Sequence, residues 1–368
     1  MKKIFFKTLI ISLAFWQAVF TAALPLAVFA EGEEPTIVET GDATSEAIAQ
    51  SSANTSETDV PGSLTGNGCG PETTCPTDTQ VSTDQQAVTD SSSSAMSETG
   101  ENEATTSGDL LIDTGNADSQ ATTDSTANIN AVSLTSEEFP SLPTLSPATE
   151  ATLDIDTNQE AASSALSSAL SKTGENMGLT EEQLQIITGA AFAIATSLNI
   201  ANINLVGSDL IWLITTILGS EEGNINFYDL FANLPQPAAG EIPVDAAITT
   251  NQTSVLQSQT QAGADSGDNS GGGQSVEMET GKATAIANTV NLTNLNLVGS
   301  RGLFTVINII GSFLGDIILP NSNYLLPANF PWGNTQVITN QEADVDSSSI
   351  ANGNTGENEL EGSGELST

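Results

Sequence analysis

The side chains that could do chemistry are few and mostly of one kind. The chain has no histidine, and 46 aspartates and glutamates face six lysines and arginines. Ser-His-Asp and Cys-His catalysis are therefore excluded, as are histidine-ligated metals. What remains is carboxylate chemistry: acid–base work on a polar substrate, or oxygen ligation of a hard cation. Asp154, Asp156 and Asn158 alternate like the first ligands of a calcium loop, but Gln159 stands where such a loop needs glycine and Ala165 where it needs glutamate. Asp265 and Asp268, within Asp265-Ser266-Gly267-Asp268-Asn269, make a second partial match. These five are the candidate metal ligands, with calcium the cation they suit. No catalytic or cofactor-binding residue stands out beside them. Lys172, Lys282 and Arg301 are the only basic groups beyond residue 30. Gly271-Gly272-Gly273 lacks the lysine of a phosphate-binding loop and reads as a turn. Cys69 and Cys75 flank a turn-rich loop, and in an oxidising compartment that spacing reads as a local disulfide. Closing so short a loop would add about 2 to 3 kcal/mol.

These residues ride on a repeat. T-G-x-A occurs at Thr40, Thr114, Thr188 and Thr280, and T-[N/D]-Q at Thr83, Thr157, Thr250 and Thr339. Sixteen positions after each T-[N/D]-Q comes [T/S]-G-[E/D]-N, at Thr99, Thr173, Ser266 and Thr355. Thr40 to Thr114 and Thr83 to Thr157 are both 74 residues apart, so one supersecondary module recurs. After each motif every second residue is small, as in Ala43, Ser45, Ala47, Ala49, Ser51 and Ala53. A period of two means strand, and a uniformly small face means close packing against it. Intervals of 15 and 16 residues from Thr83 to Thr99 to Thr114 suggest about fifteen residues per pass. The expected fold is all-β: a repetitive, elongated β-solenoid or β-helix-like stack with disordered polar segments, or alternatively long antiparallel hairpin sheets. A short helix over Glu181 to Ile187, capped by Thr180, is a local exception.

Residues 1–30 carry Lys2, Lys3 and Lys7, an apolar run and Val28-Phe29-Ala30. This reads as a secretory signal cleaved after Ala30, or an uncleaved anchor, with the repeats exported to the cell surface or beyond. The expected divisions are a polar, loosely ordered or disordered first repeat (31–107), a second repeat (108–182), a stable body (183–339), and a last partial repeat with a disordered acidic tail (340–368). Apolar stretches open with Asn-Leu-Val-Gly-Ser at Asn204 and Asn296 and mark the stable body. They are too short, or too broken by Gly311, Gly315 and Asp316, to span a membrane. The surplus of carboxylates rules against nucleic acid and anionic lipid as partners.

The T-G-x-A arms and the Asn-Leu-Val-Gly-Ser stretches resemble secreted and surface repeat proteins of uncultivated small-genome bacteria. That resemblance implies an exported, repetitive cell-envelope protein and brings no activity or site residues. The expected function is structural or adhesive, with binding to cell-surface glycans, to cations or to neighbouring copies, and no enzymatic activity. The alternative is a carboxylate- or calcium-dependent carbohydrate-active enzyme on a β-helix.

Overall fold

In a computed structural model, residues 27–30, 35–61, 78–135, 151–207, 209–227, 244–299, 301–319 and 332–367 are described. Cys69 and Cys75 lie outside them. A first unit follows β1 (Ala27–Ala30) and comprises β2 (Thr36–Thr40), β3 (Ala43–Pro61), β4 (Asp78–Glu98) and β5 (Glu103–Thr106). The second unit repeats the order as β6 (Leu110–Thr114), β7 (Ala117–Thr135), β8 (Ala151–Lys172) and β9 (Met177–Thr180). The third comprises β10 (Gln183–Thr188), β11 (Ala191–Val206), β12 (Asp209–Glu222), β13 (Ile225–Asn226) and β14 (Val244–Asp265). The fourth opens on β15 (Ser270–Glu279), followed by β16 (Ala283–Val298), β17 (Arg301–Leu314), β18 (Ile317–Ile318), β19 (Trp332–Asn354) and β20 (Glu359–Ser367).

Each unit lays one strand beside its equivalent in the next. β3, β7, β11 and β16 make one four-stranded sheet, and β4, β8, β14 and β19 another. An eight-stranded head sheet runs β1-β5-β9-β15-β10-β6-β2, with β20 beside β15. Every strand pairing among the described residues is parallel, and motif falls on motif: Ala117 pairs with Ala43 and Ala191, and Thr157 with Thr83 and Thr250. The two four-stranded sheets face each other across Ala95, Ala121, Ala169, Ala193, Ala195 and Ala262. Small side chains let the two sheets approach closely there, while Val132, Leu153, Ile155, Val206 and Ile248 fill another stretch of the same interface.

This corrects the expected fold. The strands do not recur every fifteen residues, and no antiparallel hairpin is formed among the described residues. One parallel strand per unit enters each long sheet, so the step between stacked strands is 74 residues or more. The two intervals have other origins: Thr83 to Thr99 runs along the single strand β4, and Thr99 to Thr114 runs through the head, where the Thr99 hydroxyl donates to the Gly115 carbonyl. Polar segments expected to be disordered are strands as well, since β3 and β4 pair along their length and β20 closes the acidic tail onto β15. The expected helix over Glu181 to Ile187 is a bend followed by β10, because Leu184 and Ile186 alternate into the head core with Val38, Ile112 and Met278. That burial favours extension over the local capping signal. Among the described residues no helix is long and apolar enough to cross a membrane.

The apolar stretches form the β12–β17 ribbon, paired from Asp209↔Arg301 to Glu222↔Leu314. Phe304 packs against the outer face of the first sheet, over Leu198, Ile200, Ile203 and Leu205.

Candidate functional site

The repeated motifs meet one another inside the molecule. The Thr114 hydroxyl donates to the Thr173 carbonyl at 3.1 Å, and the Thr173 hydroxyl to the Gly189 carbonyl at 2.8 Å. The same alternation runs through Thr40, Thr99, Thr188 and Ser266. T-G-x-A and [T/S]-G-[E/D]-N are thus the two halves of one seam. Its glycines answer to close backbone approach: a methyl on Gly174 would lie inside the Gly267 carbonyl, and one on Gly189 against Gly115.

Side-chain amides build columns along the stacking direction. Asn102 donates to Asn176 at 2.9 Å, Asn176 to Asn269 at 2.8 Å and Asn269 to Asn358 at 2.9 Å. A second column of Asn54, Asn128, Asn202 and Asn294 sits where each long strand takes positive φ (53 to 55°), a backbone region asparagine tolerates better than most residues. Opposite it, the glutamines of T-[N/D]-Q make a third column, with Gln159 donating to Gln85 and Gln252 to Gln159, both at 2.8 Å. Gln159 also reaches the Asn128 carbonyl, so the columns are bonded across the two sheets. Buried amides are costly unless paired, and here each amide satisfies its neighbour.

Asp154, Asp156 and Asn158 lie on β8 with Asp154 exposed and the other two half-buried. An extended strand separates alternate residues by about 6.6 Å, so the three stand in a row and do not wrap a point. Asn158 belongs to an outer amide column with Asn251 and Asn340. Asp265 ends β14 and accepts from the Gly267 amide, while Asp268, at φ 60°, accepts from the Glu357 amide. Both carboxylates are engaged in shaping turns, and the structure does not bring these five residues to one place.

It does bring together a group that sequence spacing missed. Glu98, Glu101 and Glu175 hold their carboxylate oxygens within 4.8 Å of one another, and Lys172 lies 2.5 Å from Glu175. Glu98 is pushed above the usual carboxylate range by burial first, and then by Glu101, with Lys172 opposing. Lys172 is raised, chiefly by its bond to Glu175. The clue in the sequence was the 74-residue period, which lays Glu101 on Glu175.

At the fourth-unit end the columns stop. Asn294, Asn296, Thr339 and Gln341, with Leu295, Val298 and Val337, line a groove of about 500 Å³ between β16 and β19. Comparison with protein-family models, with curated proteins and with solved structures gave no match.

Proposed function

We propose that the chain is an exported structural or adhesive protein of the cell envelope, kin to the T-G-x-A surface repeat proteins it resembles. It binds glycans, cations or neighbouring copies through many weak contacts along regular outer rows. One observation supports this above the others: the repeated motif residues are engaged in holding unit to unit, as in the seam through Thr114, Thr173 and Gly189. Repetition of this kind serves stacking, and what it presents outward is a lattice of equal positions such as Asn158, Asn251 and Asn340. Such a row suits a polymeric ligand, which offers the same hydrogen-bonding groups at intervals.

A glycan array probed with the exported chain, with and without calcium, tests the reading. Retention of one glycan class, weakened when Asn158, Asn251 and Asn340 are all replaced by alanine, is the expected result. The cluster of Glu98, Glu101 and Glu175 favours a second reading, carboxylate-dependent carbohydrate chemistry. Shortened glycan products, lost in Glu101→Gln, would establish that reading in place of the first.

A further inference from the structure

We infer that copies of this chain stack head to tail, the fourth-unit edge of one molecule (β16 and β19) pairing in parallel with the first-unit edge (β3 and β4) of the next, and that the second half of β20, which lies on β15 where β2 of the next copy would fall, gives way to it. The inference rests on the structural reading above and adds the partner: a second copy.

The edges themselves point to it. β16 and β19 end their sheets on one side and β3 and β4 on the other, and no described strand pairs with these outer edges. Monomeric proteins blunt such edges with charge, proline or a covering segment. β16 runs sixteen residues with neither proline nor charge. Its equivalents inside the molecule are fully paired on both sides.

The columns have a direction, and the direction matches end to end. Asn128 donates both to the Glu160 carbonyl and to Asn202, and Asn202 both to the Thr253 carbonyl and to Asn294. Asn294 donates to the Glu342 carbonyl and no described unit lies beyond it, while Asn54 begins the column as a donor to Asn128. The glutamine column runs the other way. Gln85 of a second copy would donate to Gln341, as Gln159 does to Gln85. The groove beside Asn294, Asn296, Thr339 and Gln341 is the space that a following unit fills in the interior.

At the third position of T-G-x-A charge and shape agree, while Asp346 and Asp90 share one column and would meet as like charges. The third position of T-G-x-A is Asp42, Asn116, Ala190 and Lys282, and each unit stacks it on the next; the Asn116 backbone amide, for instance, bonds Asp42 at 2.7 Å. Continuing the stack places exposed Asp42 of the second copy on exposed Lys282. Gly41 supplies the steric test. A methyl at Gly115, Gly189 or Gly281 meets the preceding unit's backbone, whereas one at Gly41 meets nothing within 4 Å in its own chain. In the stack it would press on Gly281 of the neighbouring copy.

Sedimentation velocity and negative-stain microscopy of residues 31–368, over a range of protein and salt concentrations, test this. The expected result is chain-length oligomers growing with concentration and strengthened by salt, because strongly acidic copies repel until screened. Filaments should repeat axially every four strands, roughly 19 Å. Gly41→Ala should leave the melting temperature of the monomer unchanged and weaken association by about tenfold or more. Lys282→Glu should weaken it by roughly fivefold, and Asp42→Lys with Lys282→Glu should restore it. A chain that stays monomeric throughout, while still retaining glycans, overturns the stacking and leaves the structural reading standing. Oligomers indifferent to Gly41→Ala and to the charge reversal overturn it as well. Stacking that persists in a chain without glycan binding overturns glycan adhesion alone.

Discussion

An asparagine held at positive φ inside a sheet answers two demands with one side chain. At Asn202 the backbone takes a conformation that alanine resists, and the amide bonds Asn128 and Asn294 on either side as well as Thr253 across the sheets. Asn202→Ala should therefore cost about 3 kcal/mol, from lost bonds, orphaned partners and backbone strain together. Asn251→Ala, on the half-buried outer column, should cost under about 1 kcal/mol. Urea unfolding of both variants compares them, and equal losses would remove the special standing of the inner column. Asparagine recurrence was visible in Asn-Leu-Val-Gly-Ser, in [T/S]-G-[E/D]-N and in T-[N/D]-Q. What it meant was not, because an amide column exists only once strands are parallel and in register. The candidate calcium ligands show the converse. Asp154, Asp156 and Asn158 carry the right atoms, but a strand places them in line.

At the scale of strands, alternation was legible and orientation was not. Ala117, Ser119 and Ala121 announce an inward face in any strand, parallel or antiparallel. The parallel choice comes from identical residues seeking one another, Gln159 on Gln85 and Asn176 on Asn102, over 74 residues of intervening chain. The outer face of β7 offers a test of its electrostatics. Asp124 lies between Gln50 and Leu198, and its carboxyl is raised above the ordinary value by burial, with the Gln50 amide opposing. A raised acid stabilises the fold relative to its charged form only at low pH: the contribution is fully present below about pH 4 and is lost as pH rises through the folded value. Asp124→Asn should thus raise the melting temperature by about one to two degrees at pH 7, and the gain should vanish near pH 3. A gain that is the same at both pH values would point to packing. On the same sheet, Phe304→Ala should uncover Leu198 and Leu205 and cost about 1 to 2 kcal/mol, less than a fully enclosed phenylalanine because this one is half-buried.

For the molecule as a whole, burial peaks in the middle of the stack. The long strands β7, β8, β11 and β14 of the second and third units have a neighbour on both sides, whereas β16 is half-buried and β19 exposed along its described length. Hydrogen exchange should therefore be slowest in β7, β8, β11 and β14, faster in β3 and β4, and fastest in β19. Position in the stack, more than the apolar content of a unit, sets this order. The apolar stretches were legible in the sequence, but their neighbours could be known only from the fold. Uniform exchange across all four units would contradict it.

β1 lies along β5, in the place that β9, β15 and β20 take in later units, and its four residues are those just ahead of the expected cleavage point at Ala30. If residues 1–30 are a leader that is clipped after Ala30, β1 is a stopper for the one slot it fills. While it is attached, the outer edge of β5 is covered and those of β3 and β4 are not; once it is clipped, all three are bare. The competence to polymerise would then be conferred outside the cytoplasm by the same cut that releases the chain, and crowding before export would not seed filaments. A chain that keeps residues 1–30 should sediment as a single species in a salt concentration where residues 31–368 form strings. If both polymerise alike, the leader is no guard.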